Sequence, residues 1–340
     1  MAGYAVQPGT GQPSTAGWLR GIGVTRDEPW AAPDIRRRLL LVLAGIWLLD
    51  GILQFQEFMF SRGFAQMLAG TAPGNPGFIA SPITWSAKII ADHGTATNAV
   101  FAIIQLLIGL GIALRPTTKP ALATSIVWSL GVWWLGEGLG GVLNGGASPV
   151  NGAPGAVIIY ALLALLLWPP RQDKPASFVA GRTVGPAIAK GLWLVLWGSL
   201  AYLALQPPTK APKALGGMVA GMASGEPSWL ASADNHLGSF LTRHGPGVAV
   251  LMAVVLAIVA VGVFLPRPAA RAAVALAIVA AAFFWLAQAL GGILAGGATD
   301  PNSGPLLALL AVSFWPLAAR GKAGSNQDAL VPAASNSHTA

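Results

Sequence analysis

The sequence predicts an all-α polytopic membrane protein, with about eight transmembrane helices arranged as two parallel four-helix repeats. Three observations predict it. The 340-residue chain is 54% hydrophobic and 9% charged, with a mean hydropathy of +0.63, whereas soluble domains carry about 25% charged residues. Its apolar residues gather in runs near the roughly 20 residues that a bilayer span needs. A glycine-rich motif recurs once, at a spacing of 151. The low charge excludes an ordinary cytosolic enzyme, a nucleic-acid-binding domain and a disordered chain. The net charge of +8 rests on only 20 Lys and Arg, in short loops, so no nucleic-acid partner is expected. With no cysteine, disulfides, thiolate metal sites, iron–sulfur clusters and Cys nucleophiles are excluded.

Residues 1–38 read as a polar cytoplasmic tail, without the apolar core of a signal peptide, so no cleaved leader is expected. The first apolar run is Leu39–Phe58. Others follow at Thr97–Leu114, Ala121–Leu143, Gly152–Trp168, Lys190–Leu205, Pro246–Leu265, Ala270–Leu294 and Pro305–Trp315. The fourth and eighth are short and need flanking residues or burial to cross. This gives a first membrane unit at 39–168, a linker at 169–189, a second unit at 190–317 and a cytoplasmic tail at 318–340.

Charge sets the sidedness. With the N-terminus inside, the inner segments hold fifteen Lys and Arg, among them Arg36, Arg37, Arg115, Arg171, Arg267 and Arg320. The outer segments hold five: Arg62, Lys88, Lys210, Lys213 and Arg243. This positive-inside bias predicts a cell-membrane protein with both termini cytoplasmic.

The duplication is explicit in Trp134–Ala147, WLGEGLGGVLNGGA, against Trp285–Ala298, WLAQALGGILAGGA, identical at nine of fourteen positions. The same spacing pairs Pro76 with Pro227 and His93 with His244. Four helices per unit insert both copies the same way up, which implies a pseudo-two-fold axis along the membrane normal. Residues 59–96 and 208–245 are expected to form short interfacial helices on the outer surface.

Ionisable groups inside a bilayer are costly and mark candidate function. Asp50 lies about 11 residues into the first run, about 16 Å deep. Gln54 and Glu57 follow at helical spacing, on the same predicted face. Glu137 is expected in the outer part of the third helix, with Trp133 and Trp134 before it and Asn144 after it. Gln105 is expected inside the second helix, with His93 at its outer mouth. Asp50 and Glu137 are the candidate catalytic, proton-exchanging groups. Gln54, Glu57, His93, Gln105, Trp134 and Asn144 are the candidate ligand-binding groups. With a shift of one in the first helix, the positions matching Asp50, Glu57, Gln105 and Glu137 are Leu200, Pro207, Leu256 and Gln288, so the second unit is expected to be scaffold. His93 and His244 are the two residues that could ligate haem or copper. No third ligand has suitable spacing, and no metal site is expected.

The helix pair around Gln105–Leu122, QLLIGLGIALRPTTKPAL, and its counterpart Val255–Leu276, VLAIVAVGVFLPRPAARAAVAL, resembles DoxX/DoxD-type membrane proteins. The resemblance covers both units, although the family often has an acid where this chain has Gln105. It implies a redox-associated membrane subunit, bound in the lipid bilayer beside a redox partner subunit. In that expectation a quinone-like amphiphile sits in a polar pocket in the outer half of the first unit. A solute or proton-coupled transporter and a non-catalytic assembly protein are the alternative readings.

Overall fold

The computed structural model describes residues 34–317, which are helical, with no strand among them. The expected C-terminal tail lies outside the described residues. So does the N-terminal tail up to residue 33. The first helix, α1 (Ile35–Leu53), starts inside the expected tail because Asp34 caps it, its side chain accepting from the Arg36 N–H at 3.1 Å. The helices then run α2 (Arg62–Ala69), α3 (Gly77–Ala113), α4 (Thr118–Leu135), α5 (Ala156–Leu166), α6 (Val179–Val184) and α7 (Pro186–Ala204). They continue as α8 (Pro207–Lys210), α9 (Ala214–Met222), α10 (Ser228–Gly262), α11 (Arg267–Ala287) and α12 (Ser303–Ser313).

Among the described residues, four helices are long and apolar enough to cross a membrane: α3, α7, α10 and α11. α1 is 19 residues long but carries Arg36, Arg37, Arg38 and Asp50. α5 and α12 have 11 residues each. At 1.5 Å per residue each covers about 16 Å, about half of a hydrocarbon core.

Several boundaries differ from the sequence reading. Residues 59–96 are not only short interfacial helices. α2 is a short helix, but the second half of the segment is continuous with the next apolar run, so that α3 runs 37 residues. Pro76 precedes it and no proline lies beyond Pro82, so the polar stretch Asp92–Thr97 bends the helix instead of ending it. The bend is at His93, with φ −134° and ψ 34°. α10, 35 residues long, likewise starts just after Pro227. The third run was expected to reach Leu143, but α4 stops at Leu135. The seventh was expected to reach Leu294, but α11 stops at Ala287. In each case a Leu-Gly pair turns left-handed, at Leu139 and Gly140 and at Leu290 and Gly291. The linker is also less polar than its composition suggests. It contains α6, buries Phe178, Val179 and Ala180, and stacks Phe178 on Phe314 at 5.3 Å.

α1 packs along α3 and α7 along α10. The first pair is close because glycines face leucines. A Cβ on Gly51 would lie 2.6 Å from Leu106 Cγ, and one on Gly109 would lie 2.8 Å from Leu48 Cγ. In a bilayer such contact replaces the hydrophobic effect as the source of helix association. α5 and α12 pack on each other, and α12 also reaches α1. A single buried cluster therefore runs through both halves, with Trp47, Tyr160, Trp193, Trp197 and Phe284 in it.

Candidate functional site

The last turn of α1 supplies Asp50, which is 2% exposed. From α5, the Tyr160 hydroxyl donates to Asp50 Oδ2, and its ring lies tilted against Trp47 at 4.4 Å between centroids. Gln54 caps α1. Its backbone carbonyl accepts from Asn98 Nδ2 at 2.6 Å, and its own Nε2 donates to the Thr299 carbonyl at 3.3 Å. Gln56 Nε2 donates to the Ala298 carbonyl at 3.2 Å. The end of α1 is thus tied to the loop between α11 and α12, some 240 residues away in the chain.

Glu137 lies just past the end of α4, in the glycine-rich turn, rather than within the third helix. Its Oε1 accepts from the Val157 N–H at 3.4 Å, in the first turn of α5, where unpaired backbone N–H groups favour a carboxylate. Gly155 makes this approach possible. Its φ is +110°, and a Cβ there would overlap Glu137 Oε2. The neighbouring Trp133 Nε1 donates to the Pro154 carbonyl at 2.7 Å, which holds α4 against the same turn.

Asp50, Gln54, Gln105, Glu137 and Tyr160 line one cavity of about 440 Å³, together with Thr299 and Asp300 from the second half. Its remaining wall is mostly apolar and aromatic, including Phe101 and Trp128, an edge-to-face pair at 5.4 Å. Phe64, Met67 and Leu68 of α2 and Ser86 and Ile90 of α3 cover it. A second cavity of similar size lies alongside, between the two glycine-rich loops, and shares Met67, Glu137, Thr299 and Asp300 with the first. Its wall is the more polar, with Asn144, Asn151, Asn302 and loop backbone. No Lys or Arg lines either cavity among the described residues.

The hydrogen bonding of this wall is lopsided. Asp50 Oδ1, Gln54 Oε1, Gln105 Oε1 and Glu137 Oε2 are buried acceptors without a partner, against one such donor of the main cavity's wall, Trp47 Nε1. Unpaired buried polar atoms are rare because each costs its full desolvation. Asp300 differs. Its Oδ2 accepts from the Thr299 hydroxyl at 2.8 Å and its Oδ1 from the Asn302 N–H at 2.7 Å.

Other expected site residues lie elsewhere. Asp50, Gln54 and Glu57 do not share a helical face, because α1 ends at Leu53. Glu57 opens a 3₁₀ turn, is exposed and does not line the cavity. His93 is exposed at the bend in α3, and His244 is exposed on α10. No group of three or more His, Asp or Glu placed to hold a metal ion occurs among the described residues. Trp134 is exposed and outside both cavities, its Nε1 donating to the Phe78 carbonyl at 3.2 Å. Asn144 lines only the loop cavity. Its Oδ1 accepts from the Gly146 N–H at 2.8 Å, which folds the turn.

Sequence reasoning missed Tyr160, Thr299 and Asp300. It also treated the second unit as scaffold, whereas that unit supplies part of the wall. Asp300 was detectable. It is an acid in an otherwise acid-poor half, standing opposite Pro149 at the spacing of 151, with no counterpart in the first. Tyr160 carried no signal, a single tyrosine in the apolar run AVIIYALLALL.

No family model, curated protein or solved structure matches this chain.

Proposed function

We propose that the chain is a multi-pass cell-membrane protein of two like-oriented four-helix units that binds an amphiphilic ligand beside Asp50 and Glu137. One observation carries the reading: a mostly apolar cavity of about 440 Å³ bears Asp50, Glu137 and Asp300 and no basic side chain. An apolar ligand body fits the aromatic wall, and its polar end meets the acids. The volume lies within the range usual for small-molecule sites, about 300–1,000 Å³.

Matching elements support the duplication. α1 and α7 both have 19 residues and start 151 apart, as do α3 and α10. Leu139 and Leu290 have φ of 56° and 55°, a left-handed conformation that costs a leucine energy and that a shared ancestor would explain. Eight crossings require α5 and α12 to share the membrane depth with the loops before them. Irregular backbone at that depth is tolerated where it lines a cavity. The excess of Arg and Lys at one end supports cytoplasmic termini.

The test is chemical. Protein purified from gently solubilised membranes is extracted, and small molecules are identified by mass spectrometry. The wild type is expected to retain an amphiphile that Asp50→Asn and Glu137→Gln lose while remaining folded and monodisperse, melting lower only by the stabilisation that bound ligand supplies. Equal ligand content in all three proteins, or none in any, overturns the proposal.

A quinone-like ligand, implied by the DoxX/DoxD resemblance, is the second reading. It is favoured by the two ring pairs in the wall, Trp47 with Tyr160 and Phe101 with Trp128. Such a ring would meet the acceptors in its hydroquinone form, whose two hydroxyl groups donate. Electrons would then pass to a partner subunit.

A further inference from the structure

We infer that the ligand this cavity prefers is an organic cation, a protonated amine on an apolar body. The inference rests on the amphiphile reading and narrows its ligand class. It starts from the imbalance in the wall. Asp50 and Gln54 are each 2% exposed and Gln105 is 9% exposed. Each has an oxygen with no partner, as does Glu137. These atoms come from three places in the chain: the end of α1 with its cap, the C-terminal half of α3 and the turn after α4. All four residues line the one cavity, so a donor-rich occupant would meet a wall short of donors. An ammonium offers three N–H donors and no acceptor. It also brings the positive charge that this wall lacks, since no Lys or Arg lines it.

The aromatic residues fit the same occupant. Trp47, Tyr160, Phe101 and Trp128 surround the acids, and a desolvated cation is drawn to the face of such rings, to tryptophan most strongly. A bare metal ion fits less well, because no three acids are placed to share one. An oxidised quinone fits less well too. It carries only acceptors and no charge, and the fully buried unpaired atoms of the wall are four oxygens against one donor, Trp47 Nε1.

The experiment is calorimetric titration of the full-length protein in lipid nanodiscs with three probes: a phenylbutylamine, the uncharged phenylbutanol of the same shape, and decylubiquinone. The amine is expected to bind at least about tenfold more tightly than the alcohol, the scale of one charge-assisted hydrogen bond. Asp50→Asn and Glu137→Gln are each expected to remove most of that difference. The comparison of amine with alcohol is made on the wild type, so it stands even if a variant folds poorly. Binding of decylubiquinone without the amine, or equal binding of amine and alcohol, overturns the cation inference and leaves the cavity reading in place. Binding of none of the three overturns both.

Discussion

Tyr160 and Asp50 stand 110 positions apart in the chain, and the hydroxyl of the one donates to the carboxylate of the other in the buried centre of the first half. The bond joins a short apolar helix, α5, to the end of α1 and leaves only Oδ1 of the acid unpaired. Tyr160→Phe keeps the ring against Trp47 and removes the donor. It should destabilise the protein by about 1–3 kcal/mol, the cost of stranding a buried polar group. The second half offers a comparison: Leu200 stands 150 positions after Asp50, and Leu307 stands in α12 where Tyr160 stands in α5, each the fifth residue of its helix. Asp50→Leu with Tyr160→Leu removes both polar partners and should recover much of that loss, while ligand binding is lost with the Asp50 carboxylate. Melting curves of the single and double variants decide it. A double variant less stable than Tyr160→Phe would show that packing, not polarity, governs this contact.

Gly155 offers a way to move Glu137 without changing its charge. A Cβ at this position would collide with Glu137 Oε2 and approach Trp133 Cδ1 at 3.0 Å, on a backbone with φ +110°. Gly155→Ala should therefore lower stability by about 1–3 kcal/mol through backbone strain and push the carboxylate away from the Val157 N–H. Ligand affinity should fall as far as it does in Glu137→Gln. Ala153→Gly, two residues upstream, serves as the comparison, and unchanged affinity in Gly155→Ala would argue that the position of this acid is unimportant.

The share of this that the sequence made legible follows from what kind of information each feature needs. Apolar runs report removal from water, into protein or into lipid, so the all-helical class and the apolar helices α3, α7, α10 and α11 were legible. Their ends did not, because ends here are set by left-handed turns at Leu139 and Leu290 that composition does not distinguish from helix. Asp50, Gln54, Gln105 and Glu137 were found because a polar group in an apolar run is conspicuous. Glu57 and Trp134 were placed with them by helical spacing, which stopped applying where α1 and α4 end. Asp300 was visible as an acid, but its place in the wall needed the tertiary crossing of the α11–α12 loop onto the first half, and Tyr160 needed the packing of α5 on the end of α1; no local pattern encodes either contact.

That crossing yields a further prediction. Asp300 is the one acid in the cavity wall that the second half supplies, and it is held by its own loop through Thr299 and Asn302. Asp300→Asn keeps one acceptor for the Asn302 N–H and removes the charge. Fold and melting temperature should change little, while binding of a cationic ligand weakens about tenfold, the size of one charge-assisted contact. The reverse change in the second unit, Gln288→Glu, should create no second site, because Leu200 and Pro149 stand where Asp50 and Asp300 would have to be. Two binding equivalents in that variant would count against assigning the site to the first half.

Sidedness can be measured directly, because the chain has no native cysteine. Single cysteines at exposed positions can be introduced without any background to remove. With eight crossings, Lys174→Cys in the linker should react with an impermeant maleimide only after the membrane is opened. Glu57→Cys, and Lys210→Cys in the second half, should react in intact cells. All three residues are exposed, so a failure to label reflects the membrane and not burial in the protein. The matched behaviour of Glu57 and Lys210 is the informative part. Each follows the first helix of its unit, so the same side for both requires an even number of crossings between them, as parallel repeats demand. Labelling of these two from opposite sides would mean an inverted repeat. It would put the second half upside down against the first and remove the common outer face on which the shared cavity depends.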